Sequence, residues 1–241
     1  MIRLRSAAHT DIGRVRSENE DRFLHDEGAL LFGVADGVGG LPCGAEAAQA
    51  SVDAVADLVR GTAAGEMPDL VAITRQTNDR VHGLGLRISP VMGIGSTLTF
   101  GHIWGSTLLI AHVGDSRCYG WREGKFSQLT EDHSVENEAR QRRARGEVFY
   151  YHQGNRNALT RCIGQPTPLS VDLVSSPLQP GDRYLFCTDG VPRLIRDSEL
   201  AEMVALPREP AVAMREIVDL SVRRGGSDNA TGVLLFIDAL G

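Results

Sequence analysis

The spacing of apolar residues changes period several times along the chain, and each change marks an element. The run LLFGVADG is strand-like up to Ala35 and then breaks at Asp36-Gly37, with further glycines at 39 and 40. Over 44–60, Ala48, Val52, Val55 and Val59 recur at helical spacing, while Glu46, Asp53, Asp57 and Arg60 take the other face and Gly61 supplies a stop. A second helix is predicted to begin at Pro68, with Leu70, Ile73, Val81, Leu84 and Ile88 on its apolar side and with Gly83 and Gly85 weakening its end. From Ser96 to Thr130 the period shortens to the β-rich runs STLTFGHI, STLLIAHV, RCYGW and KFSQL. The breaks between them, at 104–105, 114–116 and 123–124, are so short that they predict antiparallel neighbours. A polar helix from Ser134 to about Arg145 follows, then an irregular stretch suited to a flap at about 146–158. Strands at 169–175, 183–188 and 231–237, with helices at 197–204 and 210–223, complete an antiparallel α+β pattern with paired helices. No repeat or long linker interrupts it, which predicts a single domain over 1–241.

Composition narrows the partners. With 25 basic and 31 acidic residues the net charge is −6, which argues against nucleic acid and against a polybasic membrane contact. The first residues hold no apolar leader, and no window approaches ~18 uncharged apolar residues, so a cytoplasmic protein is expected. Cys43, Cys118, Cys162 and Cys187 are widely spaced and form no CxxC pair, so they read as buried small hydrophobes in a reducing compartment.

The candidate chemistry lies in aspartates. Three apolar runs, LLFGVADG, LLIAHVGD and YLFCTDG, end in Asp36, Asp115 and Asp189, and Asp228 stands just ahead of the run ATGVLLF. A lone Asp-Gly is a turn signal. Four carboxylates at strand ends could instead converge, and converging carboxylates repel one another unless a cation neutralises them. Oxygen ligands alone suit Mg²⁺ or Mn²⁺, and a two-ion site activates water for phosphoryl transfer. Competing readings fail. The glycines after Asp36 lack the third glycine of a dinucleotide fingerprint, no GK[ST] is present, and nothing acidic lies between Asp36 and Glu46 to build an EF-hand loop. Arg16, Glu20 and Asp21 in RSENED read as a solvated charged loop when taken alone, and as phosphate and metal-binding groups when taken with the aspartates. Cys187 reads as a buried strand residue and His133 as a hydrogen-bonded loop histidine.

The ordered set RSENED, VADGVGGLPCGAEAA, GSTLTF, AHVGDSR, LTEDHS, NALTRCIG, FCTDGV and SDNATGVLL resembles the metal-dependent serine/threonine protein phosphatases of type 2C, over residues of about 6 to 238. The resemblance implies a four-layer αββα sandwich, two antiparallel sheets flanked by helix pairs, with a dinuclear Mn²⁺ or Mg²⁺ centre at one end. At matching positions it implies Asp36 as the carboxylate bridging both ions, Gly37 as a carbonyl ligand, and Asp189 and Asp228 as the remaining direct carboxylates. Glu20 would act through metal-bound water with Asp21 behind it, Arg16 would grip the substrate phosphate, and Asp115 would ligate the third, weaker ion of bacterial members. The implied chemistry is direct attack of the bridging water on phosphorus, with no phospho-enzyme. Two positions depart from the pattern: Val38 stands where eukaryotic members carry a histidine acid, and Arg193 stands where an aspartate usually follows the metal-binding one by four residues, which disfavours a third ion. The expected partners are phosphorylated proteins, among them a cognate serine/threonine kinase, with the chain acting in signal transduction as a monomer. A non-catalytic phosphoprotein-binding module and a small-molecule phosphatase stay open as alternatives.

Overall fold

The computed structural model describes residues 2–166 and 168–241. Within them ten strands form two five-stranded antiparallel sheets. In chain order the strands are β1 (Arg3–Asp11), β2 (Asp21–Asp26), β3 (Leu31–Asp36), β4 (Leu98–Trp104), β5 (Thr107–Val113), β6 (Arg117–Arg122), β7 (Lys125–Gln128), β8 (Asp172–Pro177), β9 (Arg183–Cys187) and β10 (Ala230–Ala239). One sheet runs β1-β10-β9-β6-β7 and the other β2-β3-β4-β5-β8. Helices α1 (Gly44–Arg60) and α2 (Leu70–Ile88) cover the second sheet, and α4 (Asp197–Ala205) and α5 (Pro210–Arg223) cover the first. A short polar α3 (Val135–Ala144) lies outside these layers.

Burial follows the layers. Leu31, Ala35, Leu98 and Phe100 meet Val52, Val55 and Ile73 between the second sheet and its helices. Phe32, Val34, Ile110, Phe186 and Val233 fill the space between the sheets, and Leu185 and Leu234 meet Met214 and Ile217 on the far side. Alternation along each strand therefore sends one side chain to the inter-sheet core and the next to a helix layer, which is why the central strands read as continuous apolar runs.

The helical expectations hold at α1, whose Ala48, Val52, Val55 and Val59 are all buried. They shift at α2. Pro68 lies outside the helix, which starts at Leu70 after Asp69 caps it by accepting a hydrogen bond from the Ala72 amide at 3.0 Å. A side-chain acceptor satisfies a free amide that proline, having no N–H, leaves untouched. Ile88, the last residue of α2, is exposed. Strands β1 and β2 carry too few apolar residues to stand out in sequence; β1 is specified by its full-length pairing with β10 and by α5 packed on it. Nor do all short breaks join neighbours. Residues 114–116 carry the chain from β5 in one sheet to β6 in the other. Gly114, at φ 112°, makes that crossing possible, since a Cβ there would lie 2.6 Å from Thr97.

Candidate metal centre

Segments that leave or enter the sheets gather at one end of the sandwich around a cleft of about 650 Å³. Asp36, Gly37, Asp115, Asp189, Asp228 and Arg16 all line it. Asp36 is the last residue of β3, and its backbone is fixed on both sides: the amide donates to Thr97 Oγ1 at 3.0 Å, and the carbonyl accepts from the Thr97 amide at 2.8 Å and Ser96 Oγ at 3.0 Å. Asp189 follows β9 by two residues, and Asp228 precedes β10 by two. Gly37 touches the head of α1 so closely that a Cβ would lie 2.5 Å from the Gly44 carbonyl carbon, so only glycine fits.

Asp21 and Glu20 sit behind this lining. Asp21 opposes Asp36 in the β2–β3 register, is buried, and accepts from Thr188 Oγ1 at 2.8 Å. Glu20 reaches the Gly44 end of α1, which has no side-chain cap of its own. Burial raises the Glu20 carboxyl above its ordinary range.

The electrostatics are those of crowded carboxylates. Burial, and then the charges of Asp21, Asp189, Asp115 and Asp228, hold Asp36 well above the usual carboxylate range. Asp189 is also raised well above that range, by burial and then by Asp115, with Arg193 opposing. Burial pushes Asp21 and Asp115 up to about 6. Asp189 Oδ1 and Asp21 Oδ1 are buried with no hydrogen-bond partner. Unpartnered buried carboxylate oxygens and mutual repulsion are what a hard cation would relieve, so the donor set fits Mn²⁺ or Mg²⁺. Among the described residues, however, no three His, Cys, Asp or Glu side chains form a ready-made cage. Two guanidinium groups supply the positive charge instead. Arg16 bonds Asp228 Oδ1 at 2.9 Å, and Arg193 bonds Asp228 Oδ2 at 3.0 Å while also pairing with Asp189.

Comparison with known proteins now places this architecture. The sequence model of protein phosphatase 2C matches residues 14–219. The chain belongs to the protein phosphatase 2C family. It is 34% identical over 236 residues to the serine/threonine protein phosphatase PstP of Mycobacterium tuberculosis, a match that covers 96% of this chain and 44% of that protein. The chain thus spans less than half the length of that relative. It is 31% identical to a putative protein phosphatase 2C-type of Streptococcus pyogenes, covering 94% of both. Among solved structures, the catalytic domain of PstP in complex with two manganese ions superimposes with a TM-score of 0.82 at 30% identity, over 98% of this chain and 99% of that one.

Three contributors to the site escape a sequence reading. Asn229 holds the Arg16 loop: its Nδ2 donates to the Ile12 and Glu18 carbonyls at 2.9 and 3.0 Å, and its Oδ1 accepts from the Glu20 amide at 2.9 Å. Its place beside Asp228 was the available signal. Thr97 and Thr188, which orient Asp36 and Asp21, gave none, because a threonine near a strand end is unremarkable until its partner is known. His133 is a buried loop histidine. Its Nδ1 accepts from the Gly114 amide at 3.1 Å, and its Nε2 meets Asp172 at 3.1 Å, so it braces the crossing that carries Asp115. Val38, at the position where the resemblance to eukaryotic members leads one to expect a histidine, lines the cleft. Cys187 is fully buried, and burial raises its thiol, against any nucleophilic role.

Proposed function

We propose that this chain hydrolyses phosphoserine and phosphothreonine in proteins, using a water activated at a dinuclear Mn²⁺ or Mg²⁺ centre. The observation that supports this most is the convergence of Asp36, Asp189 and Asp228 with Arg16 on one cleft, in a fold shared with a two-manganese phosphatase domain. Asp36, Asp189, Asp228 and the Gly37 carbonyl would hold the ions, Glu20 through water and Asp21 from behind. Bound there, the ions would supply an activated nucleophile and charge for the equatorial phosphate oxygens.

The chain's own groups do the rest. Arg16 exchanges Asp228 for a phosphate oxygen and fixes the monoester in the cleft, a charge-assisted pairing worth about 2 kcal/mol. Thr97 keeps the Asp36 backbone from turning as charge develops, and Asn229 keeps the Arg16 loop in register with Asp228. With Val38 in the lining, the leaving alkoxide takes its proton from solvent. Asp115 would ligate a third ion in bacterial relatives. Here Arg193 bonds its neighbours Asp189 and Asp228, so the guanidinium occupies that role and two ions suffice.

Phosphorylated proteins, a cognate kinase among them, are the proposed substrates, with the chain acting as a cytoplasmic monomer in signalling. In the described residues no helix is long and apolar enough to cross a membrane. Phosphate release should be measured from phosphothreonine peptides and from metabolite phosphates, in Mn²⁺ and in EDTA. The proposal expects peptide hydrolysis with Mn²⁺ that EDTA abolishes; preference for metabolites would move the substrate class, and inertness of the Mn²⁺-loaded protein on both would refute it. The bonds of Arg193 to two of the metal-binding carboxylates favour one other reading, a non-catalytic phosphoprotein-binding module. That reading predicts phosphopeptide binding without turnover.

A further inference from the structure

The last turn of α2 and the turn after it carry a dense run of exposed apolar side chains. Leu86, Ile88, Val91 and Met92 are 57%, 45%, 94% and 58% exposed. Leu86, Val91 and Met92 join Leu41, Ile94 and Cys162 around a groove of about 330 Å³, at the low end of the ~300–1,000 Å³ typical of small-ligand pockets.

Its wall is rigid. Gly164 donates its amide to Asn78 Oδ1 at 2.9 Å and meets His82 Nδ1 through its carbonyl at 3.0 Å, while Asn78 Nδ2 donates to the Gln165 carbonyl at 3.0 Å. Ser96 and Ile163 exchange both backbone hydrogen bonds, at 3.1 and 2.7 Å. These bonds fix one wall of the groove, and among the described residues its lining is mostly apolar, with His82 and Gln165 as polar side chains and no Asp, Glu, Lys or Arg.

It also adjoins the carboxylate cleft. Cys162 lines both. Above Gly95 the partition is one side chain thick: a Cβ there would lie 3.1 Å from Val38 and from Leu41 and 3.5 Å from Cys162 Sγ. A phosphorylated chain seated in the cleft and leaving past Cys162 meets this groove. An extended chain advances ~3.3 Å per residue, so a groove that shares a wall residue with the cleft meets residues close in sequence to the phosphorylated one.

We propose that the groove is a specificity pocket for the phosphoprotein substrate and takes an apolar side chain close in sequence to the phosphoserine or phosphothreonine. The inference rests on the cleft being a phosphomonoesterase site. It differs from it in assigning a substrate preference to residues outside the cleft.

The full chain, loaded with Mn²⁺, should be assayed on phosphothreonine peptides of equal charge in which a single leucine replaces serine at each of three positions on either side. The proposal expects one or two positions where leucine raises kcat/KM by about 10-fold, mainly through KM. Val91→Asp and Met92→Glu, both at exposed positions, should each reduce that preference at least 3-fold while leaving hydrolysis of p-nitrophenyl phosphate unchanged. Absence of a leucine preference at all six positions would overturn the pocket, as would a preference that survives both substitutions. So would a light-scattering change from dimer to monomer in the variants with unaltered peptide kinetics, which would assign the face to a second copy of the chain. Wild-type protein inert on p-nitrophenyl phosphate as well would instead sink the reading of the cleft, a failure visible before any variant is made.

Discussion

Arg193 bonds Asp228 and Asp189 from a position where the resemblance leads one to expect an aspartate. A guanidinium cannot ligate a cation, so under the proposed function Arg193 stands against a third ion in the cleft. Calorimetry with Mn²⁺ should find two sites in the wild type and an added, weaker one in Arg193→Asp; an unchanged stoichiometry would show that Arg193 does not exclude the third ion. Arg16 belongs to the same scale. Removing it in Arg16→Ala should lower kcat/KM on phosphopeptides about 30-fold, the equivalent of about 2 kcal/mol, with the Mn²⁺ affinity of the centre changed little. Sequence reading reached Asp36, Asp115, Asp189 and Asp228 because each stands where an apolar run begins or ends. It could not see that Asp21 lies buried behind Asp36, since that depends on the β2–β3 register, nor that Asn229 ties three backbone groups from a loop more than 200 residues away.

Elements with strong internal periodicity were legible. Helix α1 shows its buried face in the spacing of Ala48, Val52, Val55 and Val59, because helical geometry alone decides which side chains share a face. Strands β1 and β2 were not, since pairing partners over 200 residues away give β1 its place, and the β5–β6 crossing was misread because loop length says nothing about which sheet receives the chain. The β4–β5 pair carries a pH-sensitive feature of its own. His112 opposes Thr99, meets its Oγ1 at 2.8 Å, and is buried without exposed surface, so burial, with His133 adding to it, lowers its imidazole to about 4. The folded state thus keeps His112 neutral where the unfolded chain binds a proton. The stability this represents is fully present above the ordinary value of 6.5 and is lost as pH falls from 6.5 toward 4, by up to about 3 kcal/mol. Denaturant unfolding of wild type and His112→Asn across that window should give a shallower loss in the variant; parallel curves would show that His112 does not carry the effect.

At the scale of the whole molecule, the layers are a scaffold in which the β1–β2 and β5–β6 crossings and the exits of β3 and β9 deliver charge to one end, while the β8–β9 crossing packs beside Ser106 and Ile237 away from the cleft. Four-layer packing is decided by which faces are apolar, so it follows from the sequence once the strands are known; the convergence of the crossings does not, because it depends on strand order. Crowding Asp21, Asp36, Asp115 and Asp189 in a buried place opposes folding, and a cation bound only by the folded state would offset it. Mn²⁺ at 100 times its dissociation constant should stabilise the protein by about 2.7 kcal/mol per site and raise its melting midpoint by several degrees, an effect that EDTA reverses and that Asp36→Asn largely removes. A midpoint indifferent to Mn²⁺ would mean the carboxylates do not form a metal site. The central claim is that these carboxylates hold two ions around Asp36. Diffraction at the manganese absorption edge, from crystals grown with Mn²⁺, tests it most directly: two anomalous peaks sharing the Asp36 carboxylate, one beside Asp189 and Asp228, are the result the account predicts, and a cleft without anomalous density at Asp36 would contradict it.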